Sequence, residues 1–112
     1  MINKKVIHPT FSDRVVQLAL MIPPGHVTTY GRIAIAAGGG AMASQSVTNI
    51  LGKAYMNGEK NIPFHRIVYA DGTVWMDDSH RAKRLALYKK EGIKVDEKGL
   101  IQDFRDKLFE FK

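Results

Sequence analysis

Asn61-Ile62-Pro63-Phe64-His65-Arg66-Ile67-Val68 sets an aromatic ring, an imidazole and a guanidinium between a proline and an apolar pair. Pro63 has no backbone donor and fixes its own φ, and it pushes Ile62 toward extended geometry, so the chain enters the segment as a rigid turn. Ile67 and Val68 read as buried, strand-like anchors on the far side. Phe64, His65 and Arg66 are then held on a stiff shelf suited to the floor of a pocket. The plainer alternative is that Phe64 is core packing and that His65 and Arg66 make structural hydrogen bonds.

Working outward toward the C-terminus, Arg66 to Tyr69 and Thr73 to Trp75 are two β-rich runs about an Asp71-Gly72 turn, which predicts a small hairpin. Acceptors in Met76 to Ser79 precede a helix from Arg81 to about Glu91, with Ala82, Leu85, Ala86 and Lys89 on one face and Gly92 at its end. Arg81, Lys83, Arg84, Lys89 and Lys90 form a solvated basic face, with phosphate contact as the alternative. Ile93-Lys94-Val95 alternates like an edge strand, and Phe104, Leu108 and Phe111 suggest a short packing helix.

Toward the N-terminus, Phe11, Val15, Val16, Leu18, Ala19 and Ile22 give an apolar stripe for a helix over Ser12 to Met21, ended by Pro23-Pro24-Gly25. Thr28 or Thr29 can cap a second helix, Tyr30 to Ala37, which Gly38-Gly39-Gly40 ends. A third runs from Met42 or Ala43 to Lys53, with Val47, Ile50, Leu51 and Ala54 on its buried side. Its other side is Gln45, Ser46, Thr48, Asn49 and Lys53, short hydrogen-bonding groups where a solvated helix would favour Glu and Lys. Two helices across a glycine turn, the second with such a face, fit a helix-turn-helix, and the hairpin would be its wing. An ordinary corner between two helices is the competing reading.

A chain of 112 residues supports one domain over 1–112, and no repeat or linker divides it. Seventeen Lys and Arg against eleven Asp and Glu leave a net charge of +6, which favours a polyanionic partner. There is no cysteine, which excludes disulfides, thiolate metal sites and thiol catalysis. His8, His26, His65 and His80 are scattered without ligand spacing, so no metal or cofactor is expected. No window approaches the roughly 18 apolar residues of a membrane span, and the first residues lack a signal-peptide pattern, so a cytoplasmic protein is expected.

Four segments together resemble the DNA-binding domain of the alkylguanine-DNA alkyltransferases. They are Ile22-Pro23-Pro24-Gly25-His26-Val27-Thr28-Thr29-Tyr30-Gly31-Arg32-Ile33-Ala34, Ser44-Gln45-Ser46-Val47-Thr48-Asn49-Ile50-Leu51, the shelf, and Leu87-Tyr88-Lys89-Lys90-Glu91-Gly92. Their order and spacing agree with that family from about Phe11 to Val95. The resemblance implies a mainly α fold with a small β hairpin, a winged helix-turn-helix. In the family the shelf reads Pro-Cys-His-Arg and its cysteine accepts the alkyl group from O-6 of a flipped guanine; here that position is Phe64. Phenylalanine has no lone pair to offer an alkyl group, so the chain resembles the alkyltransferase-like members, which bind damage without repairing it.

Carried over by position, Tyr30 presses on the phosphate of the target nucleotide, and Gln45, Ser46, Thr48, Asn49 and Lys53 face DNA. Tyr30, Phe64, His65, Arg66, Trp75 and Glu91 form the lesion pocket, with His65 and Glu91 the remnant of a proton relay. Two departures stand out: on the recognition helix Gln45 replaces the arginine finger that fills the gap left by the extruded base and Thr48 replaces a small glycine, and in the pocket-closing loop Val74-Trp75-Met76-Asp77-Asp78-Ser79 is bulkier and more acidic than in the family, with Trp75 either walling the pocket or packing the wing. The resemblance thus implies a non-enzymatic monomer that flips O(6)-alkylguanine out of duplex DNA and signals to nucleotide excision repair. The alternative is a winged-helix transcription regulator reading sequence through Gln45, Ser46, Thr48 and Asn49.

Overall fold

The computed structural model describes residues 10–40 and 43–111. Helix α1 spans Phe11–Leu20. It starts from a reciprocal cap: the Asp13 amide donates to Thr10 Oγ1 and the Thr10 amide donates to Asp13 Oδ2, each at 3.1 Å. Strand β1 is Thr28–Thr29, and helix α2 follows at once over Tyr30–Ala36. Of the two candidate caps Thr29 is used, its hydroxyl accepting from the Arg32 amide at 3.1 Å, while Thr28 is fully buried in the strand.

Helix α3 covers Ser44–Met56, a turn longer at its C-terminal end than the apolar pattern predicts. Ala54, Tyr55 and Met56 continue it until Asn57 and Gly58, where φ of +115° ends it. The predicted start at Met42 lies outside the described residues. Gly39, between α2 and α3, has a steric reason to lack a side chain: a Cβ there would come within 2.8 Å of the Phe11 ring. Helices α1, α2 and α3 close around Val15, Ala19, Ile22, Ile33, Ala34, Val47 and Leu51, joined by Ile62 and Ile67 from the shelf.

A 3-10 turn, Phe64–Arg66, leads into strand β2, Ile67–Val68. The expected hairpin does not form here. β2 pairs in parallel with β1, Thr28 opposite Ile67 and Thr29 opposite Val68, so helices α2 and α3 are the crossover. Both β2 residues are buried without alternation, as befits a strand packed on both faces. The Asp71-Gly72 turn is present, but Asp71 Oδ1 takes both the amide and the hydroxyl of Thr73, at 3.0 and 2.6 Å. After one return bond, Tyr69 amide to Thr73 carbonyl, the chain diverges from β2 and Thr73 bridges Leu100 in antiparallel sense.

Helix α4 spans Arg81–Lys90 and ends at Gly92, as expected. Its buried side is not the expected one. Tyr88 is its buried residue, while Ala82, Leu85 and Ala86 face solvent. Tyr88 wins because a large ring fills more of the second core, with Val27, Val68, Val74, Ile93 and Ile101, than an alanine stripe could. Ile93 to Val95 forms a single antiparallel bridge, Val95 to Ile101, in place of an edge strand. The tail contributes the short helix α5, Phe104–Lys107, and then bridges in parallel to Val27, just before β1: the Val27 amide donates to the Lys107 carbonyl and the Phe109 amide to the Val27 carbonyl. Mostly helical with one small two-stranded sheet, the architecture is winged-helix-like.

Candidate nucleic-acid interface

A cleft of about 680 Å³ opens where the start of α2, the first turns of α3, the 3-10 turn, the loop after β2 and α4 meet. Tyr30 and Gly31 line it from α2, and Ser44, Gln45 and Thr48 from α3. Phe64, Tyr69, Ala70, Trp75 and Arg84 complete the lining. The Tyr30 and Tyr69 rings lie 6.1 Å apart at 41°, and burial pushes the Tyr30 hydroxyl above its usual pKa. Four aromatic side chains around an open space suit a flat, partly apolar ligand such as a nucleobase.

The outer face of α3 is exposed as the sequence predicts, with Gln45, Ser46, Thr48, Asn49 and Lys53 all solvent-facing. Gln45 and Thr48 border the cleft. Thr48, Asn49 and Lys53 border a second, shallower groove of about 850 Å³ with Tyr55 and Met56, and Ser46 lines neither. Phe64 belongs to both, a ridge between two hollows, and Tyr55 meets its ring edge-on at 5.8 Å. Phe64 is half-buried, with one side on the core and one on open space.

The two residues beside Phe64 turn the other way. His65 Nε2 lies 2.8 Å from Glu91 Oε2, and Arg66 reaches both oxygens of that carboxylate, with Nη2 at 2.7 Å and Nε at 3.1 and 3.2 Å. Arg66 Nη1 also donates to the Ile22 carbonyl at 3.0 Å, and the Gly25 amide donates to Glu91 Oε1 at 3.0 Å. The Tyr88 hydroxyl closes the knot by donating to the His65 carbonyl at 2.6 Å. Only 7% of the Glu91 side chain is exposed. Burial opposes its ionisation, but hydrogen bonds from Arg66, His65 and Gly25 outweigh it and hold the carboxyl at about 2.

Burial also pulls the His65 pKa down, against the opposite pull of Glu91, so the imidazole is neutral at pH 7 and donates from Nε2. The knot therefore ties together the loop before β1, the 3-10 turn and the end of α4. A neutral imidazole on a carboxylate could accept a proton from a neighbouring nucleophile, but position 64 offers only a phenyl ring.

Of the six residues assigned to a lesion pocket, Tyr30, Phe64 and Trp75 line the cleft, while His65, Arg66 and Glu91 do not and sit behind it. The structure brings in two large side chains the sequence reading left out of the cleft, Tyr69 and Arg84, beside the small Ser44 and Ala70. Arg84 was legible as one of α4's cations, but its direction depends on which face of α4 is buried. Tyr69 follows β2 directly, and an aromatic at the mouth of the Asp71-Gly72 turn was the available signal. Among the described residues no cluster of His, Asp and Glu could hold a metal, and no helix is long and apolar enough to cross a membrane.

Residues 10–93 match the DNA-binding domain of 6-O-methylguanine DNA methyltransferase. The chain belongs to that family. It is 35% identical over 92 residues to a DNA base-flipping protein of Escherichia coli K12, a match covering 82% of this chain and 69% of the relative. Its fold superposes on S. pombe Atl1, crystallised with damaged DNA containing O6-carboxymethylguanine, with a TM-score of 0.69 at 23% identity over 90% of this chain and 95% of that one. A variant of the M. tuberculosis O6-methylguanine methyltransferase gives a TM-score of 0.55 at 25% identity, covering 84% of this chain and 56% of that protein. Family membership decides between the two readings of α2 and α3: they are the helix-turn-helix of a DNA-binding domain and not an incidental corner.

Proposed function

We propose that this protein reads O(6)-alkylguanine in duplex DNA by rotating the damaged base into the aromatic cleft, without removing the alkyl group. The observation that carries this reading is the cleft itself, walled by Tyr30, Phe64, Tyr69 and Trp75 and opening beside the exposed polar face of α3. The name of the E. coli relative, a base-flipping protein, supports it. In this role α3 lies in a groove with Asn49 and Lys53 toward the backbone, Tyr30 presses on the phosphate of the target nucleotide, and Gln45 enters the stack that the base leaves. A lesion with weakened pairing lowers the few kcal/mol needed to extrude a base, which favours damage over intact guanine.

No alkyl transfer follows, because the chain contains no cysteine and the position beside His65 is Phe64. His65, Arg66 and Glu91 serve as the frame that holds Phe64 in place. In the same reading the protein acts as a monomer in the cytoplasm and presents the bound lesion to nucleotide excision repair.

Titration of matched duplexes carrying guanine or O(6)-methylguanine at one salt concentration tests the proposal. Tighter binding to the lesion with the methyl group still on DNA is expected. Stoichiometric loss of the methyl group would overturn the non-enzymatic part. Equal affinity for both duplexes would overturn lesion recognition and favour a regulator of the winged-helix type.

A further inference from the structure

Arg84 is the only charged residue among the described ones that line the cleft, and no acidic side chain stands with it there. It takes part in none of the salt bridges formed by the described residues. Its guanidinium lies over the Trp75 ring, 5.2 Å from the centroid, so stacking presets its place on the cleft wall. Trp75 is braced in turn by the His80 ring at 5.5 Å, and Asp77, on the loop leading into α4, is held by His80 at 2.6 Å. The charge is felt across the site: burial raises the pKa of both Tyr30 and Tyr88, and Arg84 opposes the rise at each. A pre-placed cation in an otherwise aromatic enclosure has a chemical consequence for what the enclosure holds best.

We propose that Arg84, stacked on Trp75, makes the cleft selective for guanine adducts whose O-6 substituent ends in a carboxylate over neutral adducts of the same size. This rests on the lesion-reading function above and names the substrate class of that site. A neutral alkyl group gains only contact with Phe64, Tyr69 and Trp75, as it would against any of the aromatic walls. A carboxylate gains in addition a charge-assisted bond from a guanidinium that is already desolvated on one face, and two of its donors can meet two oxygens. The exposed Lys53 and the α4 lysines cannot supply this, since they lie outside the cleft lining.

The test uses three duplexes of one sequence carrying guanine, O(6)-carboxymethylguanine or its neutral isostere O(6)-carbamoylmethylguanine, titrated at fixed salt with the wild-type protein and with Arg84→Gln. Wild type is expected to bind the carboxymethyl duplex about tenfold more tightly than the carbamoylmethyl duplex, the size of one charge-assisted bond. Arg84→Gln is expected to abolish that ratio, so that the two adduct duplexes bind equally tightly. Three results would overturn the inference: no preference in wild type, a preference that survives in Arg84→Gln, or an equal loss on all three duplexes, which would make Arg84 a phosphate contact. The wild-type comparison is decisive against it even if the variant does not fold. If neither adduct binds better than guanine, the lesion-reading function itself fails, a result distinct from two adducts bound equally well above guanine.

Discussion

Phe64 and its neighbours His65 and Arg66 share a single 3-10 turn yet belong to two unlike regions. On the outer side Phe64 meets open space, flanked by aromatic rings and a solvated polar helix. On the inner side His65 and Arg66 meet a buried carboxylate whose two oxygens are held by both of them and by the Gly25 amide from a separate loop. A surface built to admit a ligand cannot also be fully satisfied by the protein, whereas a frame must be. The contrast predicts that damage to the inner side acts on stability and damage to the outer side on binding.

The largest expected effect breaks the inner side. Glu91→Ala leaves Arg66 buried without its carboxylate and the Gly25 amide without an acceptor, which should destabilise by about 3–5 kcal/mol. Chemical denaturation measures this; a loss below about 1 kcal/mol would mean the knot is ornamental and the division between the sides is wrong.

Acidification probes the same side without a mutation. Both Glu91 and His65 have folded pKa values below their unfolded ones, so each contributes stability that is full above the unfolded pKa and is lost as pH falls. The His65 share should begin to decline below about 6.5. The Glu91 share declines between its unfolded value of 4.5 and its folded value of about 2, and a shift of that size corresponds to roughly 3 kcal/mol. Urea midpoints across this range should fall in two stages in the wild type, and the lower stage should shrink in Glu91→Gln.

Phe64→Ala sharpens the comparison from the outer side. A fully buried phenylalanine would cost roughly 3–5 kcal/mol; with one face on the cleft, about 1–2 kcal/mol is expected together with a loss of lesion discrimination. Large destabilisation with discrimination intact would return Phe64 to the inner side. The smallest effect on the fold belongs to Gln45→Ala, which should leave unfolding unchanged. It should also leave the salt dependence of DNA binding unchanged, because no phosphate charge is removed. It should lower the fraction of flipped base reported by a fluorescent analogue next to the lesion, and an unaltered fraction would place α3 in another register.

The glycine and proline punctuation, the apolar stripes of α1 and α3, the cap of α2 and the polar side of α3 were all legible in the sequence, because local periodicity and capping fix helices without reference to distant partners. So was the lack of a thiol nucleophile, since the absence of cysteine is a fact of composition. Tertiary structure alone decided the rest. Ile67 and Val68 carry no mark of whether they will pair with a following hairpin strand or with Thr28 and Thr29, far earlier in the chain. Helix α4 offered an alanine and leucine stripe and a lone tyrosine, and the space beside Val27, Val68 and Ile93 chose the tyrosine. That one rotation put Arg84 on the cleft and Leu85 in solvent. Likewise the opposite facings of Phe64 and His65 follow from where Glu91 arrives, and no local rule in an eight-residue stretch can state the destination of a side chain whose partner lies at the end of a distant helix.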